Sequence, residues 1–255
     1  MMTVARDFDP ETLKRQYGPD YFQGAEYVDY AGDRDVHLKM LSGHLRLVQR
    51  HVPHGGRVLE LGCAHGFFLE LIGDAYPKSV GMDLSDAAVA EARKRNLDAR
   101  TGDFLQAEFD QQFDAVCMWD TIEHLPRPYE VIRRASQLLK AGGFLFLTTG
   151  DFGAWLPRWQ GLKWRQIHPP THLFYFTRVS LQKLCVRAGL EVVRFGTVTV
   201  YRRLGSAFQA LERFRGDSFG GRLASAGLRA VPKAVLNWGL PLNLGDTLYL
   251  VARKP

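Results

Sequence analysis

Cysteine is scarce in this 255-residue chain: Cys63, Cys117 and Cys185 lie far apart, with no C-x-x-C pair. That spacing argues against a disulfide framework or a cysteine zinc site, and makes a reducing cytoplasm the expected setting. No apolar run approaches the roughly 18 residues of a membrane-spanning helix. The opening stretch MMTVARDFDPETLKRQ lacks the apolar core of a secretion signal, so a soluble protein is expected. Internal repeats and low-complexity linkers are absent. Two phosphate-cradling signatures are missing as well. There is no Gly-Lys-Ser/Thr loop, and the glycine turn after residue 61 has Gly62, Ala64 and Phe67 where the dinucleotide pattern needs three glycines.

Charge of one sign is concentrated rather than spread. The net charge is +6, with 46% apolar and 24% charged residues, an ordinary balance for a folded domain. Residues 202–238 hold seven basic side chains against Glu212 and Asp217, a net of +5. The remainder is close to neutral, which argues against a general nucleic-acid binder.

What is present is an alternation of strand and helix signals. A helical pattern at about 35–52 places Leu38, Leu41, Leu45 and Val48 at three- and four-residue steps. RVLEL (57–61) then reads as a strand, 65–75 as a helix, SVGMD (79–83) as a strand, and the stretch after Ser85 as a helix with that serine as N-cap. Strands follow at 98–101 and 113–119, then a helix at 128–139 that Gly142 and Gly143 stop, and FLFLTT (144–149) as a strand buried on both faces. A helix at 177–189, a strand at about 191–200 and a last strand at 246–254 complete the reading. This rhythm predicts an α/β fold with a doubly wound, mostly parallel sheet.

The ordered features of residues 55–150 are E-L-G-C-A-H-G (60–66), VGMDLS (80–85), TGDF (101–104), FDAVCMWDTIEHLPRP (113–128) and LLKAGGFLFLTT (138–149). Together they resemble the class I S-adenosylmethionine (SAM) methyltransferases in order and spacing, departing from acid-x-Gly-x-Gly-x-Gly only at Ala64. The resemblance implies a Rossmann-like seven-stranded sheet, mostly parallel with an antiparallel last strand, plus a helical insertion. It implies SAM as cofactor and S-adenosylhomocysteine as product. On the turn, Gly62 and Gly66, with Cys63 and Ala64 between them, approach the methionine end of SAM, and Glu60 below orients its ammonium. Asp83, followed by Leu84, takes the ribose hydroxyls. Asp103 accepts from the adenine amino group, Phe104 covers the ring, and Trp119 lies at the strand tip where such ligands sit. Tyr21, with Phe22, Tyr27 and Tyr30, closes over SAM from an N-terminal arm at 1–34. For Phe104 and Trp119, plain core packing is the competing reading.

SAM carries an activated methyl group, so the protein must position an acceptor and, for a hydroxyl, remove one proton. His168 and His172, in HPPTHLFYFT, are the candidate bases, because they follow the fifth strand on the acceptor's side. This branch resembles the methyltransferase 23 and ubiquinone-type O-methyltransferases, in which an acid-x-x-Glu-His run is associated with a divalent metal. Asp120, Glu123 and His124 match that run, but a structural Glu-His pair is the favoured reading and no metal is expected. His37, His44, His51 and His54 read as surface residues. Trp155, Trp159 and Trp164 are expected to form the acceptor pocket, with the insertion 204–238 as its lid. The SAM-binding methyltransferase domain is then expected to comprise 35–203 and 239–255. The acceptor is expected to be a small molecule, glycan or lipid-like compound, with weak, salt-sensitive membrane contact through 204–238 as an open alternative. Nucleic acid is not expected, because no Asn/Asp-Pro-Pro-aromatic run follows strand four. A SAM-binding domain without catalysis, or N- or C-methylation, remains as the competing function.

Overall fold

The computed structural model describes residues 2–3, 32–203, 205, 230–236 and 238–255. Tyr21 and its aromatic neighbours, and most of 204–238, lie outside the described residues. In chain order the elements are β1 (Met2–Thr3), α1 (Arg34–Gln49), β2 (Val58–Leu61), α2 (Phe67–Ile72), β3 (Val80–Asp83), α3 (Asp86–Arg93), β4 (Ala99–Thr101) and β5 (Phe113–Trp119). After a 3₁₀ turn at Ile122–His124 come α4 (Pro128–Leu138), β6 (Leu139–Gly150), α5 (Trp155–Gln160), β7 (Phe174–Tyr175), α6 (Arg178–Arg187) and β8 (Glu191–Thr197). The chain finishes with β9 (Val200–Arg203), α7 (Lys233–Leu236), β10 (Gly239–Leu242) and β11 (Thr247–Arg253).

Seven strands form the central sheet in the order β4-β3-β2-β5-β6-β11-β8. The first five are parallel, whereas β11 runs antiparallel between β6 and β8. Strand order reverses between β2 and β5, and open α/β sheets bind ligands at the carboxyl ends beside such a reversal. Alternation along each strand builds two cores. Leu59, Leu61, Val116, Met118, Leu145 and Leu147 pack one face against Val131 and Ile132 of α4 and Leu181 of α6. Val58, Ala115, Cys117, Phe146 and Val251 pack the other against Leu41 and Val48 of α1 and Phe68 and Ile72 of α2. Both faces are covered, which is why the strands read as unbroken apolar runs.

Two sequence expectations change here. Gly142 and Gly143 do not stop the fourth helix. It ends at Leu138, and Leu139 already pairs with Phe113; the partner register then advances to Ala115↔Phe144. The glycines turn the extra residues out of the ladder, with Gly142 at φ 76°. Beyond β8, the strands β9 and β10 pair antiparallel, so the chain enters and leaves 204–238 side by side.

His44 is the larger correction. It is 4% exposed, packed in the α1 face of the core, and lies flat on the Trp119 indole with centroids 4.2 Å apart and planes 14° apart. Amphipathic spacing marked Leu41, Leu45 and Val48, but a histidine between them carries no hydropathy signal. Both its ring nitrogens lack hydrogen-bond partners, and burial pulls its pKa down to about 3. Leaving such groups unpaired costs roughly 1–3 kcal/mol. His44→Phe, which keeps the stack, is therefore expected to raise stability by about that amount at neutral pH. The margin should widen as pH falls from 6.5 toward 4. In that range only the unfolded wild type takes up a proton at this position, which lowers wild-type stability alone. Thermal melts of both proteins across that range check it; a constant difference would mean that His44 does not titrate on unfolding.

Candidate active site

The carboxyl ends of β2, β3 and β5 converge on the turn 62–66. Gly62 and Gly66 adopt φ of 77° and 75°. A Cβ on Gly62 would strike the Thr121 side chain, and one on Gly66 would lie 2.7 Å from Leu97 Cδ1 and 3.0 Å from Ala92 Cβ. The turn's own packing therefore demands both glycines. Ala64 occupies the left-handed region too, at φ 46°, a conformation that costs a non-glycine residue on the order of 1–2 kcal/mol. Its N–H donates to Asp83 Oδ2 at 2.9 Å, and Ser85 N–H donates to Asp83 Oδ1 at 2.9 Å. One carboxylate thus holds the strained turn and the start of α3, where Ser85 caps the helix. Burial raises the Asp83 pKa against the opposing pull of those backbone donors.

Glu60 is buried below the turn. Its Oε2 has no hydrogen-bond partner, and burial, reinforced by the Asp83 charge, holds its carboxyl well above the usual range. An orphaned carboxylate oxygen at the strand-reversal point fits a cationic ligand group such as an ammonium. The Cys63 side chain packs inward with Leu69 and Val89, which leaves its backbone on the turn. Leu84 is half-buried after Asp83. Asp103 Oδ1 accepts from Leu105 N at 2.9 Å, with Arg127 3.7 Å from its other oxygen. Phe104 packs in the same core as Leu59 and Met82. Trp119 ends β5 in contact with His44 and, edge-on at 5.2 Å, with Phe68; its Nε1 lacks a partner.

A second group of side chains adjoins this turn through Thr121, whose hydroxyl donates to the Leu61 carbonyl at 3.2 Å. Asp120 is left-handed, at φ 48°, with its N–H on Thr148 Oγ1 and its Oδ1 accepting from the same hydroxyl, both at 2.9 Å. Because 122–124 is a 3₁₀ turn, Asp120, Glu123 and His124 do not share one helical face as their spacing suggests. The structure instead brings together Glu123, His124 and His172, with one ligand atom from each within 4.8 Å of the others. The fold makes this cluster by docking 171–173 on the turn. His124 Nδ1 lies 2.9 Å from the Thr171 carbonyl, and Leu173 N–H donates to the Glu123 carbonyl at 2.9 Å. His124 and His172 meet edge to face at 4.6 Å. Burial depresses His124 to about 4 and His172 to about 2, so both imidazoles are neutral near pH 7. Burial and the nearby Asp120 hold the Glu123 carboxyl well above its usual range, and its Oε2 has no partner. His168 is exposed, its ring 5.4 Å from His172 and its Nε2 against the Arg165 carbonyl.

The tryptophans separate. Trp164 is buried, its indole N–H donating to Asp246 Oδ2 at 2.8 Å. Trp155 and Trp159 stand out in solvent, and so do not line a closed pocket.

Comparison with known proteins bears on the fold and the family. A ubiquinone biosynthesis O-methyltransferase of Xanthomonas axonopodis pv. citri (strain 306) is 35% identical over 122 residues, 45% of this chain and 48% of that protein. The protein of the same name from Pseudomonas aeruginosa (strain LESB58) is 33% identical over 103 residues, 37% of this chain and 44% of the relative. The chain spans about half the length of the curated relatives it matches. Among solved structures, magnesium protoporphyrin IX methyltransferase from Synechocystis PCC 6803 with bound S-adenosylhomocysteine has a TM-score of 0.62. It is 15% identical and covers 97% of this chain and 100% of its own. The [4+2]-cyclase SpnF has a TM-score of 0.57 at 24% identity, covering 84% of this chain and 81% of its own. These two show a shared fold. The family model described as a methyltransferase domain, methyltransferase 23, matches residues 32–194, more than half of the chain, and the chain belongs to that family.

Proposed function

We propose that this protein binds SAM over the 62–66 turn and transfers its methyl group to a hydroxyl of a small, largely apolar acceptor. The observation that carries the reading is the juxtaposition of two groups at one sheet edge. The Asp83-braced glycine turn with the orphaned Glu60 adjoins the Glu123–His124–His172 cluster through Thr121. Glu60 receives the methionine ammonium, Asp83 the ribose hydroxyls and Asp103 the adenine amino group; Leu84 and Phe104 flank the ring.

In the transfer the S–CH₃ bond breaks as the O–CH₃ bond forms, and the sulfonium becomes neutral S-adenosylhomocysteine. The acceptor's proton must leave. His172 is placed to take it. One of its ring nitrogens bonds the Gln166 carbonyl, so the other carries a lone pair. The acceptor's proton passes to that nitrogen as the O–CH₃ bond forms, and the imidazolium, disfavoured by its burial, then releases it to solvent. His168 is the exposed alternative. The O-methyltransferase names of the relatives support a hydroxyl acceptor.

A divalent cation is a second reading, favoured by the same cluster. Two neutral imidazoles and a carboxyl with an orphaned oxygen fit such an ion, and Glu123, His124 and His172 would hold it. When bound, it would lower the pKa of the acceptor hydroxyl.

Incubation with methyl-labelled SAM and a panel of phenols, catechols and hydroxylated lipids tests the reading. Label in an ether linkage, unaffected by EDTA, is the expected result. Label on nitrogen or carbon overturns O-methylation, and tight SAM binding without transfer to any acceptor returns the protein to a non-catalytic role. EDTA inhibition relieved by a divalent ion selects the second reading.

A further inference from the structure

The segment that leaves the active-site edge carries a surface that the proposed chemistry does not use. From Phe152 to Leu190 the sequence holds no aspartate or glutamate, against Arg158, Lys163, Arg165, Arg178, Lys183 and Arg187. Within it, α5 turns Leu156 and Pro157 inward and leaves Trp155 63% exposed, Trp159 77% and Leu162 76%. Trp155 and Trp159, four residues apart in α5, share one side of that helix, and Leu162 follows in the 3₁₀ turn beyond it. Arg158 and Lys163 are exposed among them and enter no ion pair among the described residues.

This face is held on a firm base. Leu156, Trp164 and Tyr175 form a small core of their own. Trp164 and Arg165 both bond Asp246, which is 1% exposed, at 2.8 Å. The two outward indoles thus project from a fixed platform. Large aromatic side chains left in water next to one another mark an interaction surface rather than a fold requirement. Indoles with neighbouring basic residues and no acid within reach along the segment match the boundary of a negatively charged bilayer. There the ring lies at headgroup level and the cations meet lipid phosphates.

We propose that Trp155, Trp159 and Leu162, with Arg158 and Lys163, dock this protein on the surface of an anionic phospholipid bilayer. The segment begins where β6 ends, at the same sheet edge as the Glu123–His124–His172 cluster. Docking there brings the acceptor side of the site to the place where an apolar acceptor dissolves. The inference does not depend on that acceptor, because vesicle binding is read without turnover.

The test uses the full chain with phosphatidylcholine vesicles, with and without phosphatidylglycerol, at low and high salt. Co-sedimentation is expected only with phosphatidylglycerol, weakening as salt rises, with a blue shift of tryptophan emission. The paired variants Trp155→Ala/Trp159→Ala and Arg158→Glu/Lys163→Glu should each reduce partitioning at least about tenfold. Their melting temperatures and SAM affinity should stay unchanged. Failure of the wild type to bind phosphatidylglycerol vesicles at low salt overturns the proposal, as does binding that neither variant reduces. Concentration-dependent self-association that disappears in Trp155→Ala/Trp159→Ala would assign the face to a second copy of the chain and overturn it equally.

Discussion

His172→Ala is expected to lower methyl transfer roughly 10²- to 10⁴-fold while SAM affinity stays near that of the wild type. The expectation rests on placement: His172 meets His124 at 4.6 Å and sits within ligand distance of Glu123, and that cluster adjoins the proposed SAM turn through Thr121. His168→Ala, at an exposed position, should cost far less. The pH dependence tests the role of His172. His172 is already neutral well below pH 6, so kcat/KM should cross pH 6.5 without an acid limb from this group. A limb centred near 6.5 would take the role of base away from His172. If both alanine variants keep near-normal turnover, His124 is the next base to test, and proximity alone remains as the alternative. Loss of activity in His172→Ala together with loss of a bound divalent ion would assign the residue to a metal site instead.

Asp83→Ala is expected to weaken SAM binding by roughly 1.5–3 kcal/mol, the range for hydrogen bonds to a charged group. At about 1.4 kcal/mol per decade this is roughly 10- to 150-fold in Kd. The structure adds a second loss to the ribose contacts. The same carboxylate accepts the Ala64 and Ser85 N–H groups, so without it the left-handed Ala64 loses the hydrogen bond on its N–H and the turn is held less firmly. Asp83→Asn separates the effects: it keeps an acceptor oxygen for one of those N–H groups but lacks the negative charge. Calorimetry should place Asp83→Asn between wild type and Asp83→Ala. Unchanged SAM affinity in Asp83→Ala would remove the ribose from this position.

Where the strands end and which glycines turn was legible from local sequence. Glu60 and Asp83 lie in the last two residues of apolar strands, and Gly62 and Gly66 lie in the turn directly after one of them. In a parallel sheet that spacing alone delivers them to the carboxyl edge, whatever packs around them. The same local logic marked the Ser85 cap, and it placed the apolar face of α1. It failed where the meaning of a residue depends on a distant segment. Gly142 and Gly143 look like a helix stop because glycine signals a break, but only strand pairing shows that the break lies inside β6. The i, i+3, i+4 spacing of Asp120, Glu123 and His124 assumes an α-helix, and a 3₁₀ turn has a different period.

Sequence by itself thus determined the α/β alternation, the family and the glycine turn, because hydropathy period and turn chemistry are properties of consecutive residues. Tertiary structure alone decided that His172 joins Glu123 and His124 across 48 residues of chain, through the backbone bond from Leu173 to the Glu123 carbonyl. It alone buried His44 against Trp119, turned Trp164 inward on Asp246 and left Trp155 and Trp159 in water. Histidine and tryptophan are amphipathic enough to sit on either side of a surface. Their burial is set by the partners that long-range packing brings to them, and those partners are not encoded in the residues beside them.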